Sequence, residues 1–257
     1  MLCSTKELRD YHPAARDGEI GRVRDVLFDD QQWGIRHLVI DTGGWLTGRE
    51  VLVSPHAIEG LDRAQRRIQV ALSRKQIQNA PGIETDQPVS QQHEAAYYDY
   101  YGFPYYWAGT GLWGAAAYPM AGAGLAAALP PDGAVPREAA ERARAEQASG
   151  DSHLRSSNEV TGYDIAARDG HIGHVDDFLF EDRSWQIRYA VVDTRNWLPG
   201  RLVLISPQWI ESIDWAEHAA HVRLTHEAIK SSPPYDREKQ IGIEDERRMA
   251  SHYAGYL

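Results

Sequence analysis

The chain has 257 residues, 42% hydrophobic and 25% charged, which is ordinary globular material, sufficient for two modest cores and without the bias of a disordered or fibrous protein. A formal net charge of −10 repels phosphate backbones and disfavours general nucleic-acid binding. The only cysteine, Cys3, leaves no internal disulfide and no thiolate zinc cluster, and "MLCSTKELRD" turns polar too early for a secretory leader, so a cytoplasmic setting is expected.

Near the start, Ala14 to Gly21 read "AARDGEIG", where Asp17-Gly18 marks a hairpin turn because glycine accepts the positive φ that such a turn needs. Strands are expected next in "IGRVRDVLF", alternating around Ile20, Val23 and Leu27, in "WGIRHLVIDT", in "REVLVS" and in "RIQVAL" with Ile68, Val70 and Leu72. "DTGGWLTG" is a longer turn in which Asp41 and Thr42 cap the strand end. Ser54-Pro55 opens a short helical turn, and Ser73 with Gln76 predicts a capping box on a short helix that ends before Pro81. Arg63, Arg66, Arg67, Arg74 and Lys75 form a basic cluster, read as a solvated face or as partners for the chain's own acids, with an anionic ligand as the alternative.

The middle of the chain is unusual. From Tyr100 to Pro131 there is no charge, long enough for a membrane span, but Ala and Gly gain little in lipid and Pro119 interrupts the segment. Two readings fit better. One is a connector lying over barrel surface; the other is an exposed segment that recruits a protein partner through Tyr97, Tyr98, Tyr100, Tyr101, Tyr105, Tyr106, Trp107 and Trp113. Residues 137–148 read as a short charged helix.

Then the first phrase returns as "AARDGHIG" from Ala166 to Gly173, displaced by 169 − 17 = 152 positions. The same offset, without a gap, relates Trp33 to Trp185, Arg36 to Arg188, Asp41-Thr42 to Asp193-Thr194, Trp45 to Trp197, Arg49 to Arg201 and Glu94 to Glu246. The repeated Asp17, Gly18 and Gly21, with Asp169, Gly170 and Gly173, complete a structural signature. Arg36, Arg49 and their copies are expected to pair with Asp41 and Asp193, and Thr225 caps a helix without a reciprocal acceptor at Ala228. His171 and His174, like His218 and His221, are spaced to align on a helix and not on a strand, so no metal site is expected. No nucleophile triad, phosphate loop or dinucleotide fingerprint is present, hence no catalytic residue and no cofactor is expected.

"AARDGEIGRVRDVLFDDQQWGIRHLVIDTGGWLTGREVLVSP" and its echo resemble the PRC-barrel family, whose barrel occurs in the photosynthetic reaction-centre H subunit and in a ribosome maturation factor. The motifs D-G-x-I-G, W-x-I-R, V-[IV]-D-T and G-R-x-V-L-[IV]-S-P appear in that order, twice. The resemblance implies a bacterial tandem protein of two small β-barrels. The reaction-centre subunit has a transmembrane helix ahead of its barrel and the maturation factor a separate N-terminal domain, whereas about ten polar residues precede the first repeat here.

The expected organisation is therefore mainly β: a barrel over 4–82, a linker over 83–152, a second barrel over 153–235 and a C-terminal arm over 236–257. The expected function is a non-enzymatic interaction module whose barrels pack as an internal pseudo-dimer, with an unknown protein partner or self-association. The alternatives are a membrane-associated accessory protein using 100–131 and a small-molecule or metal binder.

Overall fold

A computed structural model describes residues 1–46, 48–81, 91–120, 153–194 and 201–256. Trp197, Gly200 and the helix expected over 137–148 lie outside the described residues. The chain is mainly β and divides into two units, one made of residues 7–156 with 182–186, the other of 1–6, 157–181 and 187–257.

In the first unit, β2 (His12–Ala15), β3 (Gly18–Glu19), β7 (Ile58–Asp62) and β8 (Arg67–Val70) form one sheet in the order β3-β2-β8-β7. A second sheet runs β6-β5-β4-β9, with β4 (Arg22–Asp29), β5 (Ile35–Asp41), β6 (Glu50–Val53) and β9 (Leu154–Ser156). The alternation read in the sequence does the work expected of it, since Ile20, Val23, Ile68, Val70 and Leu72 are all buried. Helices α1 (Thr5–Leu8), α2 (Arg74–Gln78) and α3 (Gln91–Tyr101) accompany the sheets. Ser73 and Gln76 form the anticipated capping box on α2.

The other unit contains β1 (Leu2–Ser4), α4 (Ser157–Val160), β10 (Asp164–Ala167), β11 (Gly170–Glu181), β12 (Ile187–Asp193), β13 (Leu202–Ile205), β14 (Ile210–Asp214), β15 (Ala219–Val222), α5 (His226–Lys230) and α6 (Ile243–Ala254). Its strands form one sheet, β13-β12-β11-β10-β15-β14, with β1 on β11. Here β11 runs unbroken where the first unit splits into β3 and β4, which merges the two sheets into one. Thr225 caps α5 through the Ala228 N–H, as expected.

The described strands make open sheets, and no sheet is closed into a ring, which departs from the closed barrels expected from the sequence. In the second unit the two ends of the path, β13 and β14, are joined by a 3₁₀ turn, Pro207–Trp209, and not by a ladder. The same turn, Pro55–Ala57, follows β6 in the first unit. The Ser-Pro pairs start both turns as the sequence indicates.

The first strand of each repeat completes the unit of the other repeat. Strand β1 pairs with β11, placing Leu2, Cys3 and Ser4 opposite Glu181, Phe180 and Leu179. Strand β9 pairs with β4, placing Leu154, Arg155 and Ser156 opposite Asp29, Phe28 and Leu27. The sockets are matched: Ser4 Oγ donates to Asp177 at 2.5 Å and Ser156 Oγ donates to Asp25 at 2.5 Å. Because the two serines and the two aspartates are themselves repeats, either strand has the chemistry to fit either socket. By this pairing residues 1–6 belong to the second unit and residues 154–156 to the first, and the segment 182–186 joins the first unit, where Trp185 O accepts from Ile35 N–H at 2.8 Å. No helix among the described residues is long and apolar enough to cross a membrane.

Candidate functional site

The Asp-Gly phrase turns one residue earlier than expected. Ala15 pairs with Gly18, so the tight loop is Arg16-Asp17, and Gly18 follows it at φ 145°. Asp17 then caps a helix distant in sequence, accepting from Arg74 N–H at 2.7 Å, and Asp169 does the same for His226 at 2.8 Å. Gly21 is needed for a close approach: a Cβ there would lie 1.9 Å from Asp41 O, and one at Gly173 would lie 2.1 Å from Asp193 O.

Asp41 and Thr42 are turn caps as read, with Asp41 accepting from Gly43 N–H at 2.9 Å and Thr42 Oγ1 donating to Arg49 O at 2.5 Å. The second copy repeats this with Thr194 and Arg201 O at 2.8 Å, beside the buried Asp193. The arginines go elsewhere than expected. Arg49 donates to Gln78 O and Ala80 O, and Arg201 to Ser232 O. Trp45 lies under Arg74, whose Cζ is 4.5 Å from the ring. Of the other basic residues, Arg66 pairs with Asp10 at 3.1 Å and Arg67 with Glu19 at 2.9 Å.

Arg36 is fully buried and pairs not with Asp41 but with Asp29 at 2.9 Å. It also donates to Gln32 Oε1 and to Leu112 O, and its guanidinium stands 3.8 Å from the Tyr106 ring centroid. Gly34 makes room for it, since a Cβ there would lie 2.8 Å from Arg36 Cζ. In the second repeat Gln186 replaces Gly34 and Arg188 is exposed. The buried arginine thus anchors the segment 105–113 on the first unit.

Beside it, His37 Nε2 and Glu94 Oε1 are 3.1 Å apart, and Tyr106 Oη donates to both Glu94 oxygens at 3.1 and 3.3 Å. All three residues are buried. Tyr97 Oη donates to Leu52 O and accepts from Ser54 N–H, which fastens α3 over β6. Burial raises the Tyr97, Tyr98 and Tyr106 hydroxyls well above their ordinary pKa. His56 is buried as well; its Nδ1 lies 3.0 Å from Met120 N and 3.3 Å from Met120 O, and its Nε2 has no hydrogen-bond partner among the described residues. Burial pushes the His56 pKa down to about 4, with Arg36 and His37 acting in the same direction and the Met120 backbone against it.

The aromatic run proposed as a contact surface is largely internal. Tyr97, Tyr98, Tyr105, Tyr106 and Trp113 are buried, Tyr101 and Trp107 are partly covered, and Tyr100 is 43% exposed. Trp107 stacks on Tyr105 at 4.8 Å, and Trp113 Nε1 donates to Ser184 O at 2.7 Å. Alternating aromatic and small residues over a sheet with buried polar groups favour this collapse, because each ring removes far more apolar area from water than the glycines and alanines around it. The described part of the segment is a connector laid over the first unit.

Sequence reasoning missed His37, Glu94 as its partner, and His56. The one available signal was the Glu94/Glu246 repeat, a carboxylate kept in phase beyond the strands. Trp33 and Trp185 also hold an unexpected conformation, both at φ 59°. Trp33 stacks on Phe28 at 5.4 Å, and Trp185 is buried. Of the histidine pairs, His171, His218 and His221 are exposed and His174 is half-buried; no group of metal-ligating side chains occurs among the described residues.

These features define a small mainly β module with a docked aromatic helix. Residues 14–77, from β2 to α2, match the family described as PRC-barrel domain. That stretch of the chain is similar to the family and contains Arg36, His37 and His56. A search of curated proteins finds no match.

Proposed function

We propose that the chain is a non-enzymatic interaction module of two PRC-type barrel units, the second a copy of the matched segment, tied into an internal pseudo-dimer by exchanged first strands. The observation that carries this reading is the reciprocal pairing of β1 with β11 and of β9 with β4. A contact between two identical chains becomes internal when the chain is duplicated, and exchange of an identical element is a low-cost route to such a pair. The buried polar groups support a scaffold role: Arg36, Asp29, Glu94 and Tyr106 are engaged in holding α3 and the aromatic segment.

Partner contact then falls to rings that stay in solvent, Tyr100 and Tyr118 in the first unit. The test is co-purification from the native host with the intact chain and with a Tyr100→Ser, Tyr118→Ser variant, after separating soluble and membrane pools. A partner held by the intact chain and lost by the folded variant supports the module reading. Recovery in the membrane pool, or no partner at all, contradicts it.

A further inference from the structure

We propose that the second unit holds a groove for a monocarboxylate with a short aliphatic tail, between the loop that follows α5 and helix α6. This goes beyond the interaction reading and does not rest on it.

The loop is fixed before it reaches the helix. After Pro233 and Pro234, whose rings restrict φ, Tyr235 N–H donates to Leu202 O at 2.8 Å and joins the edge of β13 as a single bridge. A turn follows, with Lys239 N–H donating to Asp236 O at 3.2 Å, and Gly242 opens α6. Tyr235 and Ile241, on either side of that turn, are half-buried against a core cluster that includes Leu204 and Met249. Between loop and helix an open groove of about 530 Å³ remains, with Leu204 and Met249 at its floor and Ile241 and the two prolines on its walls. Its rim is exposed to solvent.

That volume is in the range of small-ligand sites. Apart from Tyr235 the apolar lining is aliphatic, which suits an alkyl chain better than a stacked ring. Met249 stands at the position of Tyr97 in the first unit, and its unbranched side chain adapts to an irregular apolar guest.

Four charged side chains line the groove, and three of them are committed within the protein. Asp245 accepts from Gly242 N–H at 3.1 Å, while Asp236 accepts from Glu238 N–H at 3.0 Å and pairs with Lys239 at 3.7 Å. Arg248 has no ion-pair partner among the described residues, although its neighbour Arg247 pairs with Glu244. An uncommitted guanidinium beside an aliphatic floor selects a carboxylate head on an apolar tail, and it rejects an ammonium head.

The experiment is titration of the isotope-labelled full chain with sodium octanoate, 1-octanol and octylammonium chloride, followed by NMR. Octanoate should shift the amides of residues 233–249 saturably, with an affinity about fivefold above that of 1-octanol, as expected for one solvent-exposed ion pair. Octylammonium should bind more weakly than either. Arg248→Ala, at an exposed position, should fold normally and erase the difference between octanoate and 1-octanol. Ile241→Asp should abolish octanoate binding, and Ile241→Met, which keeps the wall apolar, should retain it. No saturable shift up to about 10 mM octanoate, shifts centred outside residues 233–249, or an Arg248→Ala chain that keeps its preference would each overturn the proposal. So would octanoate binding by a folded Ile241→Asp chain equal to that of the intact protein.

Discussion

His37 Nε2 lies 3.1 Å from Glu94 Oε1, and at the matching positions of the second repeat Tyr189 Oη donates to Glu246 Oε1 at 3.4 Å. One strand position and one helix position thus meet in both units, although the strand residue is histidine in one and tyrosine in the other. The carboxylate is the constant. It fastens the helix that follows each set of strands, buried in the first unit and half-buried in the second.

The difference in burial sets a difference in cost. Glu94→Ala leaves His37 and Tyr106 without their acceptor inside the fold, which should destabilise the protein by about 3 kcal/mol, as for other broken buried polar networks. Glu246→Ala, nearer to solvent, should cost under about 1 kcal/mol. Urea denaturation of the two variants checks the ratio. Equal effects would contradict the role given to burial.

His56 makes stability depend on pH. Its folded pKa, about 4, is below the ordinary value of 6.5, so the unfolded chain takes up a proton first as the pH falls. The stabilisation is complete above pH 6.5 and is lost progressively as the pH falls from there towards 4, by up to roughly 3 kcal/mol. His56→Gln, which installs the residue found at the matching Gln208, should flatten this part of the stability profile. Thermal unfolding of both chains between pH 4 and 7 measures it; parallel profiles would show that His56 is not the group responsible.

Gly21 cannot carry a side chain. Gly21→Ala should cost more than about 3 kcal/mol, since its Cβ would meet the Asp41 carbonyl and its φ is 136°. Gly44→Ala, where nothing lies within 4 Å of the added carbon, should change stability by less than about 0.5 kcal/mol. Comparing their melting temperatures tests whether the repeated phrase acts through close backbone approach. A tolerant Gly21 would refute that.

Periodicity made much of this fold legible. Alternation located β4, β5, β6 and β8, the capping residues located α2 and α5, and the repeat offset showed that the second half would retrace the first. What it could not reveal depends on partners distant in sequence. Arg36 reads as a surface residue until Gly34 opens space for it and the 105–113 segment covers it. His37 stands in an apolar strand with nothing local to mark Glu94 as its partner. The exchange of first strands is equally hidden, since Ser4 and Ser156 occupy matching positions of the repeat, each two residues after a leucine, and only the path of the chain decides which aspartate each one meets.

Asp177 concentrates that exchange. It accepts from Ser4 Oγ, Thr5 Oγ1, Lys6 N–H and Phe178 N–H while almost fully buried. Asp177→Ala should therefore cost about 3 kcal/mol and release residues 1–6 to fast amide exchange before the rest of the chain unfolds. Protection of those residues unchanged by the substitution would contradict the anchoring role.

The most direct measurement uses the register of β1. With Cys3 replaced by serine, a Leu2→Cys, Glu181→Cys chain places two thiols at paired positions of β1 and β11, whereas Leu2→Cys with Asp29→Cys probes pairing within the same repeat. Mild oxidation should link the first pair within one chain, seen as a monomer on a non-reducing gel and as a crosslinked peptide by mass spectrometry, and should leave the second pair unlinked. Linkage of Leu2→Cys to Asp29→Cys, with the first pair left reduced, would contradict the strand exchange on which the account rests.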